Sequence, residues 1–129
     1  MSHQIPIRVY YEDTDLAGIV YYANYFKFIE RGRTDWLRDL GIDQSALKDQ
    51  AGVVFAVRRV EADYLSPARF DDLLTVETDL AAMTPARIIV DQRVSRDGIT
   101  LLSARVTIAC LGPGGRPTRI PEAVRKAIA

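Results

Sequence analysis

Residues 23–40 read ANYFKFIERGRTDWLRDL, and their bulky side chains recur every three or four positions. This is the spacing of one face of an α-helix, so the sequence predicts a helix over residues 23–40. Arg38 suits the negative end of the helix dipole, and Gly41 is a good C-terminal stop. Gly32 interrupts the pattern at a propensity cost of about 1 kcal/mol relative to Ala. It either marks a close approach between helix and sheet or is simply tolerated.

Five segments around this helix alternate apolar and polar residues, which is the period of a β-strand. One precedes the helix at residues 5–11, and four follow it at 53–65, 73–82, 86–95 and 100–111. Asp97 and Gly98 predict a tight hairpin between the last two, because this pair accepts positive φ angles. The order predicts a four-strand antiparallel meander, a possible short helix within 42–52, and a peripheral helix or frayed end at 121–129.

One apolar face runs through these elements, so the economical packing is one antiparallel sheet curled around one long helix. The sequence therefore predicts an α+β fold and a single domain over residues 1–129. Such a sheet leaves long edges with unpaired backbone groups, and edge-to-edge pairing in a two-fold dimer covers one of them. We expect a homodimer or a dimer of dimers.

Composition excludes several function classes. Lys and Arg total 17 and Asp and Glu total 17, and this zero net charge argues against nucleic acid or an anionic membrane as partner. Cys110 is the one cysteine, which favours a reducing cytoplasm. The one histidine, His3, argues against a Ser-His-Asp triad or a histidine-rich zinc site. If the protein is an enzyme, this scarcity of His and Cys leaves a carboxylate as the expected reactive group. No export signal or apolar stretch long enough for membrane insertion is predicted.

An acidic turn, EDTDLAG at residues 12–18, links the first strand to the helix. Asp residues before a helix often only cap it, and we expect Asp13 to brace the turn. No Asp-x-Asp-x-Asp-Gly loop with a distal Glu follows, so no metal is predicted.

The turn also belongs to a longer signature. Residues 11–25, YEDTDLAGIVYYANY, with ERGR at 30–33 and DYLSPARFDD at 63–72, resemble the hotdog-fold acyl-CoA thioesterases of the 4-hydroxybenzoyl-CoA type, including the Tol-Pal-associated branch. The resemblance covers almost the whole chain. It implies a hotdog fold and hydrolysis of a short-chain or aromatic acyl-CoA, with no cofactor or metal.

The resemblance also implies residue roles. Asp15 carries catalysis, as nucleophile or as general base, and the backbone N–H of Tyr22 polarises the thioester carbonyl. Many members of the Tol-Pal-associated branch have His where Tyr22 stands, which leaves the substrate preference open. Apart from the resemblance, the aromatic cluster of this region is typical of a core, but the place of Tyr25 at the helix start beside Asp15 leads us to expect that it lines the acyl pocket. Glu30 is a weaker candidate than Asp15, because it has Arg33 one helical turn away.

Coenzyme A carries phosphates, so a neutral chain must supply cations locally. Arg87 is the first choice, since it enters a strand after the Thr84-Pro85 turn. Acyl carrier protein could deliver the acyl group instead. The alternatives are a hydratase or dehydratase, disfavoured by the placement of His3, and a non-catalytic module that binds acyl-CoA or acyl carrier protein.

Overall fold

A five-stranded antiparallel sheet packs against one long helix in the computed structural model, which describes residues 2–129. In chain order the elements are β1 (His3–Arg8), α1 (Asn24–Asp39), α2 (Gln44–Ala51), β2 (Val54–Tyr64), β3 (Leu73–Met83), β4 (Arg87–Arg96), β5 (Ile99–Leu111) and α3 (Glu122–Ile128). Short 3-10 turns lie at Tyr11–Asp13 and Pro113–Gly115. The α+β prediction is confirmed.

Helix α1 begins and ends within one residue of its predicted bounds, flanked by Ala23 and Leu40. It packs across β1, β3 and β4. Its buried residues recur at helical spacing and are Tyr25, Phe28, Ile29, Gly32, Trp36 and Leu37. The apolar stripe read from the sequence is therefore the face that covers the sheet.

Gly32 marks a close approach between α1 and the sheet. A Cβ built on Gly32 would lie 2.7 Å from Val76 Cγ1 and 3.2 Å from Gln92 Nε2. Gln92 is buried, and its amide nitrogen donates to Ile29 O at 2.8 Å and to Thr78 Oγ1 at 2.9 Å. The missing side chain lets the helix backbone reach a polar group on β4.

The predicted four-strand meander is wrong for β2. The sheet order is β1-β3-β4-β5-β2, so only β3, β4 and β5 are joined as a meander, and β2 pairs with the far side of β5. Alternating apolar residues predict a strand but not its partner. Residues 65–72, hereafter the crossover segment, carry the chain past the ends of β5 and β4 to reach β3. The Asp97-Gly98 hairpin is confirmed, with φ of 52° and 79°.

Strand β1 ends at Arg8, three residues earlier than predicted. Val9 still pairs, but with the crossover segment instead of β3: Val9 N donates to Asp72 O, and Asp71 N donates to Val9 O, both at 2.9 Å. The following residues coil into the 3-10 turn Tyr11–Asp13. The turn takes the chain away from the sheet edge before α1 begins.

Strand β5 contains one extra residue, because Val94 pairs with Leu102 while Ser95 pairs with Thr100. Leu101 is the bulged residue, and both it and Leu102 are fully buried. The predicted core face of β5 is otherwise confirmed: Leu102, Ala104, Val106, Ile108 and Cys110 are buried. Within residues 2–129 no helix is long and apolar enough to span a bilayer.

Candidate functional site

Residues 13–21 form a small acidic hairpin between β1 and α1. Tyr21 N donates to Asp13 O at 2.9 Å, Thr14 and Val20 form a bridge, and Asp15 N donates to Ile19 O at 2.9 Å. Gly18 closes the turn at φ 79°, a conformation that strains residues with a Cβ. The loop therefore holds Asp15 on one leg and leads toward Tyr22 on the other.

The two aspartates of this hairpin have different surroundings. Asp13 Oδ2 accepts from Tyr10 N at 2.8 Å, and Asp13 O accepts from Asn24 Nδ2 at 2.9 Å, so Asp13 braces the turn as predicted. Asp15 is half-buried and accepts one local hydrogen bond, from Ala17 N to Oδ1 at 2.9 Å. Among residues 2–129 no donor pairs with its second carboxylate oxygen. That oxygen is free to act on a ligand.

Asp15 opens onto a cleft of about 610 Å³, within the usual range of small-molecule sites. Its walls are mostly apolar and are formed by Tyr11, Thr14, Asp15, Leu16, Gly18 and Phe70. Phe70 comes from the crossover segment and is 58% exposed. A carboxylate at the edge of an apolar cleft is a suitable place for chemistry on a weakly polar group.

Tyr22 lies two residues before α1, in the turn that follows the hairpin, and not at the first helical position. Within the described chain its backbone N–H has no acceptor, while its carbonyl accepts from Tyr64 Oη at 2.9 Å. Its side chain does not contribute to the Asp15 cleft of the protomer. Within residues 2–129 the structure thus has an unpaired Tyr22 amide close to the acidic hairpin, and its role in polarising a carbonyl stays a prediction.

Tyr25 does not line the cleft. Its side chain is 3% exposed, its ring packs edge-on against Phe28 and Tyr64, and its hydroxyl accepts from Ala68 N at 3.0 Å. Burial raises the pKa of the Tyr25 hydroxyl. Because so little of the ring is accessible, the protomer does not support the predicted acyl contact, and Tyr25 instead holds the crossover segment.

Arg87 is not beside Asp15 within one protomer. Arg87 begins β4 and Arg96 ends it, about 30 Å away at the rise of a β-strand. The crossover segment and the cleft lie at the Arg96 end, since Arg96 Nη1 donates to Pro67 O at 3.3 Å and to Asp72 Oδ2 at 2.7 Å. A role for Arg87 in phosphate binding stays a prediction that needs a second protomer.

The crossover segment is a part of the site that no sequence pattern predicted. Leu65 N and Ser66 N both donate to the bulged Leu101 O, at 2.8 and 3.2 Å, and Val20 N donates to Ala68 O at 2.8 Å. The signal was present in the sequence, because residues 63–72 are part of the family-like signature. The turn residues of this segment predict a loop, but they do not predict that this loop contacts the acidic hairpin.

Asp72 and Arg96 form a half-buried ion pair at the base of this segment. Burial alone raises the pKa of the Asp72 carboxyl, but hydrogen bonds from Arg69 N and Arg96 and the Arg96 charge outweigh it and lower the pKa overall. Asp72 is therefore ionised across the physiological pH range. Among residues 2–129 no three His, Cys, Asp or Glu side chains cluster in a way that could hold a metal ion.

Comparison with known proteins identifies the family of this chain. Residues 9–128 match the family model of the thioesterase-like superfamily. The chain is 42% identical over 123 residues to the acyl-CoA thioesterase YbgC of Haemophilus influenzae, covering 95% of this chain and 90% of that protein. It is 40% identical over 121 residues to the acyl-CoA thioester hydrolase YbgC of Escherichia coli O6:H1, covering 92% and 90%.

Solved structures give the same picture. A probable thioesterase from Bartonella henselae superposes with a TM-score of 0.90 at 36% identity, covering 94% of this chain and all of that one. A 4-hydroxybenzoyl-CoA thioesterase variant, solved with 4-hydroxybenzoyl-CoA, superposes with a TM-score of 0.93 at 20% identity over 99% of both chains, which supports the fold alone. The family resemblance and the hotdog fold are confirmed, and the chain belongs to the thioesterase-like superfamily.

Proposed function

We propose that this protein hydrolyses a short-chain or aromatic acyl-CoA thioester to the free acid and CoA, with Asp15 as the catalytic carboxylate. The reaction class rests on the two curated relatives named as acyl-CoA thioester hydrolases, 90% of whose length the chain spans. The observation that carries the site is the acidic hairpin. It presents a carboxylate with one uncommitted oxygen on one leg and leads to the unpaired Tyr22 amide on the other.

The chemistry suits these two groups. Hydrolysis of a thioester develops negative charge on the carbonyl oxygen, and an unpaired N–H aimed at that oxygen stabilises it. The Tyr22 amide takes this role because no protein acceptor of the described chain competes for it. The side chain at this position does not enter the reaction, so a tyrosine there is compatible with activity.

Asp15 has two possible parts in the reaction. As nucleophile, its oxygen bonds to the carbonyl carbon, the C–S bond breaks, and CoA leaves as the thiolate; water then cleaves the mixed anhydride. As general base, it takes a proton from the water that attacks the carbonyl carbon, and the leaving sulfur receives a proton. Both routes consume one water and yield acid and CoA. On the nucleophilic route, a burst of one CoA per site before steady state is expected when hydrolysis of the mixed anhydride is slower than its formation.

The cleft favours an uncharged acyl group. Its walls are mostly apolar, and Asp15 is the one carboxylate among its lining residues. An acyl group that ends in a carboxylate would be repelled by the Asp15 carboxylate. We therefore expect benzoyl-type and short aliphatic thioesters to be turned over faster than dicarboxylic ones of similar size.

The test is CoA release over a panel of acyl-CoA substrates, with the matching acyl carrier protein thioesters alongside. Asp15→Ala and Asp15→Asn are expected to lower kcat by about 10²-fold to 10⁴-fold. Glu12→Gln is the matched control, because it removes an exposed carboxylate of the same turn that does not line the cleft. Full activity in both Asp15 variants would refute the assignment, and CoA binding without turnover by the wild type would favour a non-catalytic module.

The homodimer is part of the proposal. Strand β2 lies at the edge of the sheet, so no strand within residues 2–129 pairs with one side of its 11-residue backbone. Val54, Val57 and Tyr64 on this strand are 37%, 48% and 47% exposed. An exposed edge of this length with apolar side chains favours pairing with a second copy, and a second copy is also what Arg87 needs to reach a CoA bound near Asp15.

Light scattering tests this assembly. The wild type is expected at twice 14.4 kDa or at four times that mass. Val57→Asp places like charges opposite each other at a two-fold interface and is expected to shift the mass toward one protomer. A wild type at 14.4 kDa would contradict the dimer.

Location in the cytoplasm is likewise proposed, because the lone Cys110 suits a reducing compartment.

A further inference from the structure

We propose that the crossover segment, residues 65–72, positions Asp15, and that the Tyr25 hydroxyl and the Asp72–Arg96 ion pair are the groups that fix it. Tyr25, Asp72 and Arg96 are then positioning residues of the enzyme, although none of them lines the cleft. This inference rests on the proposed catalytic role of Asp15.

The first link joins Asp15 to the crossover segment. Asp15 N donates to Ile19 O at 2.9 Å, and Ile19 in turn forms a bridge with Arg69. The next residue, Val20, donates its N–H to Ala68 O at 2.8 Å. The leg of the acidic hairpin that pairs with Asp15 is therefore itself paired with residues 68 and 69.

The second link joins those residues to helix α1. Ala68 is fully buried, and its N–H donates to the hydroxyl of Tyr25. The Tyr25 side chain is buried as well, with 3% of the residue exposed. No water reaches this bond easily, so its loss leaves a buried donor unpaired. The hydroxyl oxygen of Tyr25 thus fixes the position of the crossover segment relative to helix α1.

The third link joins the same residues to strand β4. Arg69 N donates to Asp72 Oδ2 at 2.8 Å, and the same oxygen accepts from Arg96 Nη1 at 2.7 Å. Arg96 also donates to Pro67 O at 3.3 Å, on the other side of Ala68. Residues 67–72 are held from both sides by side chains mounted on a helix and on a strand, and such elements hold a site more precisely than loops do.

A displacement of about 1 Å at a reacting group can cost about 10²-fold in rate. Tyr25→Phe removes one oxygen and keeps the ring, so it loosens Ala68 without substituting any side chain that lines the cleft. We expect kcat to fall by about 10-fold to 100-fold while KM changes by less than about threefold, because no cleft-lining side chain is substituted and the apolar contact of Phe70 is non-directional and tolerates a small shift. A decrease in kcat of less than about threefold would overturn the proposal.

A double-mutant cycle separates positioning from general loosening. If Tyr25 acts through Asp15, adding Tyr25→Phe to Asp15→Asn lowers the residual rate no further. Independent losses that multiply would show that Tyr25 does not act through Asp15. This cycle also keeps the two proposals apart: full activity of Asp15→Asn refutes the proposed function, whereas an inactive Asp15→Asn with multiplying losses refutes only the positioning.

The ion pair gives an arm that does not depend on Tyr25. Arg96→Met is expected to lower kcat as Tyr25→Phe does, and Arg96→Lys is expected to restore at least half of the lost activity, since it returns the charge beside Asp72. Equal activity of the Met and Lys variants would count against the pair.

Val124→Ala serves as the stability control. Val124 is buried in α3, which packs near Thr84 and Pro85 at the opposite end of the sheet. This variant is expected to unfold at lower temperature with an unchanged kcat well below its Tm. A matching fall in kcat would mean that loss of stability alone explains the Tyr25 result.

Discussion

Gly32 of α1 lies against Val76 of β3 so closely that a Cβ on Gly32 would be 2.7 Å from Val76 Cγ1. Gly32→Ala should therefore destabilise the protein, even though Ala is the better helix former by about 1 kcal/mol. Overpacking of this kind costs about 1–3 kcal/mol, and after the gain in helix propensity we expect a net loss of up to about 2 kcal/mol in the free energy of unfolding. Urea denaturation measures it.

The control is a cycle with Val76→Ala, which removes the methyl group that the new Cβ would strike. Each single variant should destabilise, and the double variant should lose less than the sum of the two, because the cavity left by one accommodates the other. Strict additivity would show that contact with Val76 is not what limits this position.

Gly18 and Gly98 share a φ of 79° and have open space where a Cβ would stand. Substitution of either by Ala should cost about 1 kcal/mol, from backbone strain alone. Only Gly18→Ala should lower kcat, because Gly18 closes the turn that holds Asp15 and lines its cleft. Thermal denaturation and steady-state kinetics of both variants test this, and an equal effect on kcat would contradict it.

The Asp72–Arg96 pair should make stability depend on acid pH. The pKa of Asp72 is lowered in the folded protein, so its stabilising contribution is present above the usual carboxyl pKa of about 3.9 and is lost as the pH falls through the lower folded value. Wild type and Asp72→Asn should therefore differ most in free energy of unfolding near pH 7 and converge below about pH 4.

Asp91 supplies the matched comparison. It forms a two-point ion pair with Arg105 on the more exposed outer face of the sheet, and the Arg105 hydrogen bonds lower its pKa as well. Exposed pairs contribute little, so Asp91→Asn should change the pH profile of stability less than Asp72→Asn does. The reverse order would mean that the Asp72 pair is not the stronger one.

Cys110 should be unreactive in the folded protein. Its side chain is buried, burial raises the pKa of the thiol, and Sγ donates to Arg119 O at 3.7 Å. A thiol reagent such as DTNB should label it slowly at pH 8 and quickly in urea, since only the thiolate reacts. Rapid labelling of the folded protein would show that β5 opens readily at this position.

The sequence was informative wherever one face of an element is buried. The helical stripe around Phe28 and Trp36 and the alternation from Leu102 to Cys110 each follow from burial on one side, so element type and face could be predicted. The Asp-Gly hairpin could be predicted because its backbone angles admit few residues. The acidic turn could be predicted from the signature that it belongs to. The hydrogen bonds of Asp13 agree with the prediction that this residue braces the turn.

What could not be predicted depends on pairing between segments far apart in the chain. The partner of β2 is set by the route of residues 65–72, and nothing in the alternation of β2 specifies that route. The contact between Tyr25 and Ala68 is a single hydrogen bond between residues 43 positions apart, which no local pattern predicts. The aromatic ring of Tyr25 therefore led to the prediction of a pocket contact, whereas in the structure its hydroxyl holds the crossover segment. Arg87 was predicted to bind phosphate because it follows the Thr84-Pro85 turn, but the length of β4 separates it from Asp15 within one protomer.

The bulged carbonyl of Leu101, which accepts two amides of the crossover segment, ties the site to the most deeply buried strand. A loop secured in this way opens only when the core strand opens, so it belongs to the same cooperative unit. On heating, loss of activity should then coincide with global unfolding, and there should be no temperature range in which the protein is folded but inactive. The enzyme would behave as a single thermal switch, with residual activity reporting the fraction of folded molecules.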